Sequence, residues 1–349
     1  MQIINTALCS FGMSGKVFHA PFIDLHPGFK LTGAWERSKK LIQEAYPGVK
    51  SYTSLEEILE DETVDLVVVN TPNVTHYDYT KKALLAGKNV VVEKPFTNTI
   101  AEAEELKELS VKQNKLLSVY HNRRYDSDFS LVRQVVHDKL LGDIVEAEIH
   151  FDRFNKQLSP KAHKEVPGIG TGVLYDLGAH LIDQALQLFS FPEAVFADIR
   201  TLRPESQVDD YFEVLLYYPS LRVRVKSSYI VKEPLPAYSL HGTKGSFLKS
   251  RADVQEADLI AGKKPSYSGW GIEPASEEGL LHAEKNGTDI KEKLAAPAGN
   301  YVGYYDDLYK AFTSGKPVPV TADDGIRIIK IIEAAFKSNN ERKVIDLTE

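Results

Sequence analysis
The 349-residue chain has a single cysteine, two methionines and two tryptophans. Cys9 has no second thiol for an internal disulfide or for a CxxC zinc or redox motif, which excludes disulfide scaffolds and thiolate metal sites. A reducing cytoplasm is the expected compartment. Long apolar runs are missing too. The longest, Val214–Tyr218, falls far short of the roughly 20 residues of a membrane helix. No basic segment precedes an apolar stretch near the start, so neither secretion nor membrane contact is expected. Positive charge is also in deficit. Forty-two Lys and Arg against 49 Asp and Glu leave a net charge of −7, the wrong sign for gripping nucleic acid through its phosphates. The histidines show no H-E-x-x-H or similar grouping, so no metal site is expected.

What remains is ordinary globular composition, 43% hydrophobic and 26% charged, with length for about two domains of roughly 150 residues. Up to about residue 120, β-rich runs alternate with amphipathic stretches. Strands are predicted at Ile3–Leu8, Phe29–Trp35, Asp65–Val69, Val90–Val92 and Leu116–Val119. Leu66–Val69 and Val90–Val92 are apolar without alternation, the pattern of strands buried on both faces of a parallel sheet. Ser54 and Thr99, each followed three residues later by glutamate, read as capping boxes, and Gly87 as a helix C-cap. Repeated βα units with short links predict a doubly wound parallel sheet.

After His121 the texture changes to alternating segments at Val145–Asp152, Val195–Thr201, Asp210–Tyr217, Leu221–Tyr229 and Ala237–Leu240. Helices are expected over 128–139, 176–189 and 323–338. This order predicts an α/β second domain with an open, mostly antiparallel sheet, one face of which must be covered by helices or by another subunit. The Gly-, Pro- and Ser-rich stretch 262–303 is expected to form long loops, and His241–Gly245 a turn.

The first strand runs into Ser10-Phe11-Gly12-Met13-Ser14-Gly15, a dinucleotide fingerprint whose opening glycine is serine. In G-x-G-x-x-G the second glycine lets the backbone approach a pyrophosphate and the third lets helix and strand pack closely. Glu36 ends the second strand, where an acid binds ribose hydroxyls. A carboxylate there favours NAD, whereas Arg37 and Ser38 beside it can hold the 2′-phosphate of NADP, and the preference stays open. Thr71, Asn73 and His76 follow the apolar strand 66–69, at the sheet end where ligands bind, although Asn73 also suits a helix N-cap. Glu93-Lys94-Pro95 ends the next strand and places Lys94 at the crevice mouth. Downstream, Asp176 and His180 are four residues apart, a helical spacing that lets a carboxylate orient an imidazole.

The fingerprint, Glu93-Lys94-Pro95 and Asp176-x-Gly178-x-His180, in that order, resemble the glucose-fructose oxidoreductase / inositol dehydrogenase (Gfo/Idh/MocA) family over nearly the whole chain. Gly12–Phe22, Tyr120–Asp126, Asp253–Glu256 and Trp270-Gly271 are similar to its branch with NADP-dependent scyllo-inositol dehydrogenases, from which Glu36 departs. The resemblance implies a Rossmann domain over 1–120 and a substrate-binding and oligomerisation domain over 121–349. It implies NAD or NADP as coenzyme and a small cyclic polyol or sugar as substrate. Lys94, Asp176 and His180 become its polar catalytic triad, with a cis bond between Lys94 and Pro95. Gly12, Met13, Gly15, Glu36, Arg37, Ser38, Thr71, Asn73, His76, Glu93, Lys94 and Asn122 become its coenzyme contacts. Arg123, Arg153 and Tyr175 fall where substrate is held, but arginines there also suit ion pairs between domains, and Tyr175 suits the core equally. A homodimer or homotetramer is expected. The alternatives are another sugar or dihydrodiol dehydrogenase of the same fold, or a coenzyme-sensing regulator without catalysis.

Overall fold
The computed structural model describes residues 2–37, 39–160 and 164–347. Two compact units emerge, and neither is one continuous piece of chain. The first comprises Met1–Asn122, Gln255–Trp270 and Asn300–Ile326, the second Arg123–Val254, Gly271–Gly299 and Arg327–Glu349.

The first unit holds β1 (Ile4–Leu8), β2 (Phe29–Trp35), β3 (Lys50–Tyr52), β4 (Leu66–Val69), β5 (Asn89–Glu93) and β6 (Leu117–Tyr120). They form a parallel sheet in the order β3-β2-β1-β4-β5-β6. That is the Rossmann order, with its reversal of winding between β1 and β4. The apolar runs behave as their composition requires, since every residue of β4 and Val90, Val91 and Val92 of β5 are buried. Helices α1 (Ala20–Leu25), α2 (Leu41–Ala45), α3 (Leu55–Glu60), α4 (His76–Leu85) and α5 (Ile100–Lys112) link the strands. Thr99 and Glu102 form the reciprocal capping box of α5. At α3 only half of the box forms: Ser54 accepts the Glu57 N–H, while the Glu57 carboxylate accepts from Thr53. Gly87 takes the left-handed conformation after α4, at φ +72°, which a residue with a Cβ enters only at a cost.

The second unit carries β7 (Ile144–His150), β8 (Ala194–Arg200), β9 (Tyr211–Tyr217), β10 (Arg222–Ser228), β11 (Tyr238–Gly242), β12 (Gly245–Lys249), β13 (Gly279–Lys285), β14 (Thr288–Leu294) and β15 (Ile345–Asp346). The nine-stranded order is β14-β13-β12-β11-β7-β10-β9-β8-β15. Only β7 and β10 pair in parallel. Helices α6 (Ser127–His137) and α7 (Ala179–Phe189) lie in this unit, α8 (Gln255–Ile260) and α9 (Val302–Ser314) in the first, and α10 (Ala322–Glu341) has residues in both. Along β9, buried Phe212, Val214 and Leu216 alternate with half-buried Tyr211, Glu213, Leu215 and Tyr217.

One expectation fails. The stretch 262–303 is not all loop, because it contains the β13–β14 hairpin and the start of α9. The signal was the dipeptide Asn286-Gly287, whose φ values of 54° and 76° are those of a tight two-residue hairpin turn.

Candidate active site
Within the first unit the polar candidates cluster beyond the carboxyl ends of β1, β2, β4, β5 and β6, where ligands of open α/β sheets bind. The turn after β1 is tightly braced. Asn70, just past β4, accepts the Ser10 N–H at 2.9 Å and donates to the Ser10 carbonyl at 2.8 Å. The Ser10 hydroxyl accepts the Gly12 N–H at 3.1 Å, so the serine standing for the first glycine stiffens the turn. A Cβ on Gly15 would lie 2.4 Å from the Ser10 carbonyl oxygen. Helix and strand therefore touch here as a dinucleotide turn requires, with Met13 exposed at its tip. These residues fit a pyrophosphate-bearing coenzyme, whose phosphates would rest on the turn and on the helical segment it opens. That segment, Gly15–His19, is a π-turn, a form frequent at functional sites.

Glu93 at the end of β5 accepts the Ser14 hydroxyl at 2.5 Å, and its other oxygen accepts the Lys94 N–H at 3.3 Å. Burial pushes the carboxyl up, but the hydrogen bond and charge of His19, with Ser14 and Lys94, outweigh it and bring the pKa down to about 2. Lys94 is half-buried and its bond to Pro95 is cis.

Several coenzyme candidates are committed elsewhere. His76 is buried, with Nδ1 2.8 Å from the Pro95 carbonyl and Nε2 2.9 Å from that of Thr71. Burial lowers its pKa, and the ring braces two loops. The Thr71 hydroxyl bonds that of Thr75 at 2.7 Å. Asn73 donates to Asn98 at 3.3 Å. The Glu36 carboxylate is turned onto the start of α2 and onto β3, accepting the N–H groups of Leu41 and Ile42 and the Ser51 hydroxyl at 2.9, 3.2 and 3.1 Å. A helix start of unsatisfied N–H groups competes well for a carboxylate one turn away. Arg37 is exposed, Ser38 lies outside the described residues, and Asn122 is buried.

In the second unit a further π-turn, Leu174–Gly178, precedes α7, so each motif adjoins a π-turn: Gly15 opens the first and Asp176 lies in the second. Asp176 occupies this turn and pairs with Lys164 at 2.9 Å, while His180 is buried in the first turn of α7. The Asp209 carboxylate caps the π-turn by accepting the Leu174 N–H at 2.8 Å. Burial raises its pKa to about 6. Gly172 has φ +95°, and a Cβ there would stand 1.8 Å from Asp209. No residue but glycine fits. Lys164 and Asp209 escape sequence reasoning because each reaches the turn from outside its helix, 12 residues before Asp176 and 35 after Leu174.

Two substrate candidates are internal. The Arg123 guanidinium is buried, 3.4 Å from Asp126 and over the Phe151 ring. Tyr175 is buried and stacked on Phe336, with centroids 5.8 Å apart. Arg153 is exposed and also lies over Phe151. Among the described residues no group of three or more His, Cys, Asp or Glu could hold a metal ion, and no helix is long and apolar enough to cross a membrane.

Comparison with known proteins decides the lineage. Residues 4–121 match the model of the GFO_IDH_MocA oxidoreductase family's NAD-binding Rossmann fold, and residues 133–347 that of its C-terminal alpha/beta domain. The chain belongs to the Gfo/Idh/MocA oxidoreductase family. A similar relative is the scyllo-inositol 2-dehydrogenase (NADP(+)) IolW of Bacillus subtilis, 36% identical over 347 residues that cover 99% of this chain and 97% of IolW. An oxidoreductase structure from Bacteroides fragilis is 47% identical with a TM-score of 0.91, covering 99% of this chain and all of that one. The oxidoreductase yvaA of Bacillus subtilis superposes with a TM-score of 0.95 at 35% identity, covering 99% of each chain. As a family member this chain is an NAD(P)-dependent oxidoreductase.

Proposed function
We propose that the chain oxidises a secondary alcohol of a cyclic polyol or sugar, and reduces the matching ketone, with scyllo-inositol the first substrate to test. The observation that carries this reading is end-to-end similarity to a scyllo-inositol dehydrogenase, in a chain whose sequence has all of Lys94, Asp176 and His180. A coenzyme-sensing regulator would not need all three.

When bound, a nicotinamide coenzyme would supply the hydride acceptor for alcohol oxidation and the hydride donor for the reverse reaction. The alcohol must lose a proton as the hydride leaves, and imidazole, with an ordinary pKa near 6.5, can both take and return it near neutrality. In this reading His180 moves the proton. Asp176 balances the charge that His180 acquires, and the Lys94 ammonium positions the reacting oxygen and stabilises its developing negative charge. Arg153, exposed in the second unit, is the substrate candidate that stays accessible.

We further infer a homodimer or homotetramer built on the nine-stranded sheet. Its support is the face of β9 carrying Tyr211, Glu213, Leu215 and Tyr217, left half-buried opposite the buried row. Light scattering on a sizing column tests this, and a monomer at micromolar concentration overturns it.

The deciding experiment is a dehydrogenase and reductase panel of inositols, aldoses, ketoses and trans-dihydrodiols with both coenzymes. Scyllo-inositol or a close cyclic polyol is expected to give the highest kcat/KM. A preference for a dihydrodiol, or no turnover of any polyol, overturns the substrate assignment.

A further inference from the structure
His19 is wholly buried at the end of the π-turn, with a different partner on each ring nitrogen. Nδ1 lies 2.8 Å from the Tyr305 hydroxyl and Nε2 3.0 Å from Glu93 Oε1. The ring also packs on Tyr120, with centroids 4.4 Å apart. That Glu93 oxygen accepts the Ser14 hydroxyl, while the other accepts the N–H of Lys94. A continuous chain of phenol, imidazole, carboxylate and hydroxyl thus runs from α9 to the glycine turn. Tyr305 comes from α9, nearly 200 residues beyond β6, and α9 belongs to the coenzyme-binding unit.

Burying an ionised carboxylate is unfavourable unless it is paired and hydrogen-bonded. Glu93 has both, and it stands between two segments the reaction needs: the Ser14 turn and the backbone of Lys94. The acceptor is an anion, so His19 Nε2 must be its donor, and the Tyr305 hydroxyl fixes the ring from the opposite side.

We propose that His19 is a positioning residue, holding the Glu93 carboxylate in the one orientation that ties the glycine turn to the Lys94 segment, so that coenzyme affinity depends on a side chain that does not touch the coenzyme. The inference rests on the glycine turn being the coenzyme site. The ionisable groups facing Glu93 are His19, Tyr305 of α9, Lys94 and His76 of α4. Of these, His19 bonds the carboxylate through its ring and Lys94 through its backbone N–H.

The test measures dissociation constants of NADH and NADPH from the full chain by fluorescence quenching between pH 5 and 9, with thermal unfolding alongside. His19→Phe removes a hydrogen bond to a charged group and should weaken binding about tenfold or more. Because the hydrogen bond and charge of His19 oppose the effect of burial on Glu93, the variant's Glu93 should titrate at a higher pH than in the wild type, and the pH profile of binding should change with it. His19→Gln carries an amide N–H that can reach the same carboxylate oxygen and should bind within about threefold of wild type. Affinity and pH profile unchanged in His19→Phe overturn the proposal. So does a His19→Gln variant that melts normally yet binds as poorly as His19→Phe, since packing and not donation would then be what matters. If His19→Phe does not fold, Tyr305→Phe takes its place: weakened binding with normal melting supports the proposal, and unchanged binding overturns it. A wild-type chain that binds neither coenzyme overturns the oxidoreductase reading itself.

Discussion

The Asp176 carboxylate pairs with the Lys164 ammonium at 2.9 Å, and both side chains are partly exposed to water. Exposed pairs are worth only about 0.2–1 kcal/mol and are screened by salt. Lys164→Met is therefore expected to change kcat/KM by less than about fivefold and to remove part of its dependence on ionic strength. Steady-state kinetics at low and high salt check this. A loss of a hundredfold would make Lys164 part of the chemistry instead.

His180 carries the proton in the proposed reaction, and removing a general base typically costs a factor of about 10² or more in turnover. His180→Ala should show that loss while NADH and NADPH bind with wild-type affinity, as read by fluorescence titration. Near-normal turnover would remove His180 from the mechanism.

Glu36 stands where a ribose contact was expected, yet its oxygens already serve Leu41, Ile42 and Ser51. Glu36→Ala should cost about 1 kcal/mol of stability, as loss of a helix cap does. The ratio of NAD to NADP efficiency should stay within about threefold, because a capping carboxylate is not available to select between ribose forms. A tenfold swing toward NADP would mean that the carboxylate leaves α2 when coenzyme binds.

Asp209 makes stability depend on pH. Its pKa rises from 3.8 in the unfolded chain to about 6 when folded. The folded state therefore binds more protons between those values, and the contribution is full below pH 4 and lost as pH rises through 6. Asp209→Asn keeps an acceptor for the Leu174 N–H without the buried charge. It should flatten the stability profile between pH 4 and 6 and stabilise the protein at pH 8 by an amount on the order of 1–3 kcal/mol. Urea unfolding across that range is the measurement, and parallel profiles for the two proteins would contradict the assignment.

Gly15→Ala would place a Cβ 2.4 Å from the Ser10 carbonyl oxygen, a backbone atom that has little room to move. Coenzyme affinity should fall at least tenfold as the turn shifts by a few tenths of an ångström or more, following the sensitivity of positioned groups to small displacements. Calorimetric titration reads it out, and unchanged affinity would show that the turn relaxes freely.

The features legible in the sequence were those with local causes. Continuous apolar runs marked β4 and β5 because a strand buried on both faces needs no alternation. Thr99 with Glu102 marked a helix start, and Gly12, Gly15, Lys94, Asp176 and His180 stood out by residue type and order. The Asn286-Gly287 turn was equally local and went unread because the residues around it looked like loop. Two π-turns were invisible, since the apolar spacing of a helix does not distinguish one wide turn from the regular kind. What only tertiary structure decided is where polar side chains find partners. Glu36, His76, Arg123 and Tyr175 are candidate ligand contacts as letters, and only the fold shows that a helix start, two carbonyls, Asp126 and Phe336 lie against them. Tyr305 joined His19, and Lys164 and Asp209 joined the Asp176 turn, across separations no local pattern encodes. A side chain's chemistry belongs to its residue type, but its partner is set by which distant segments the packed core brings within about 3 Å.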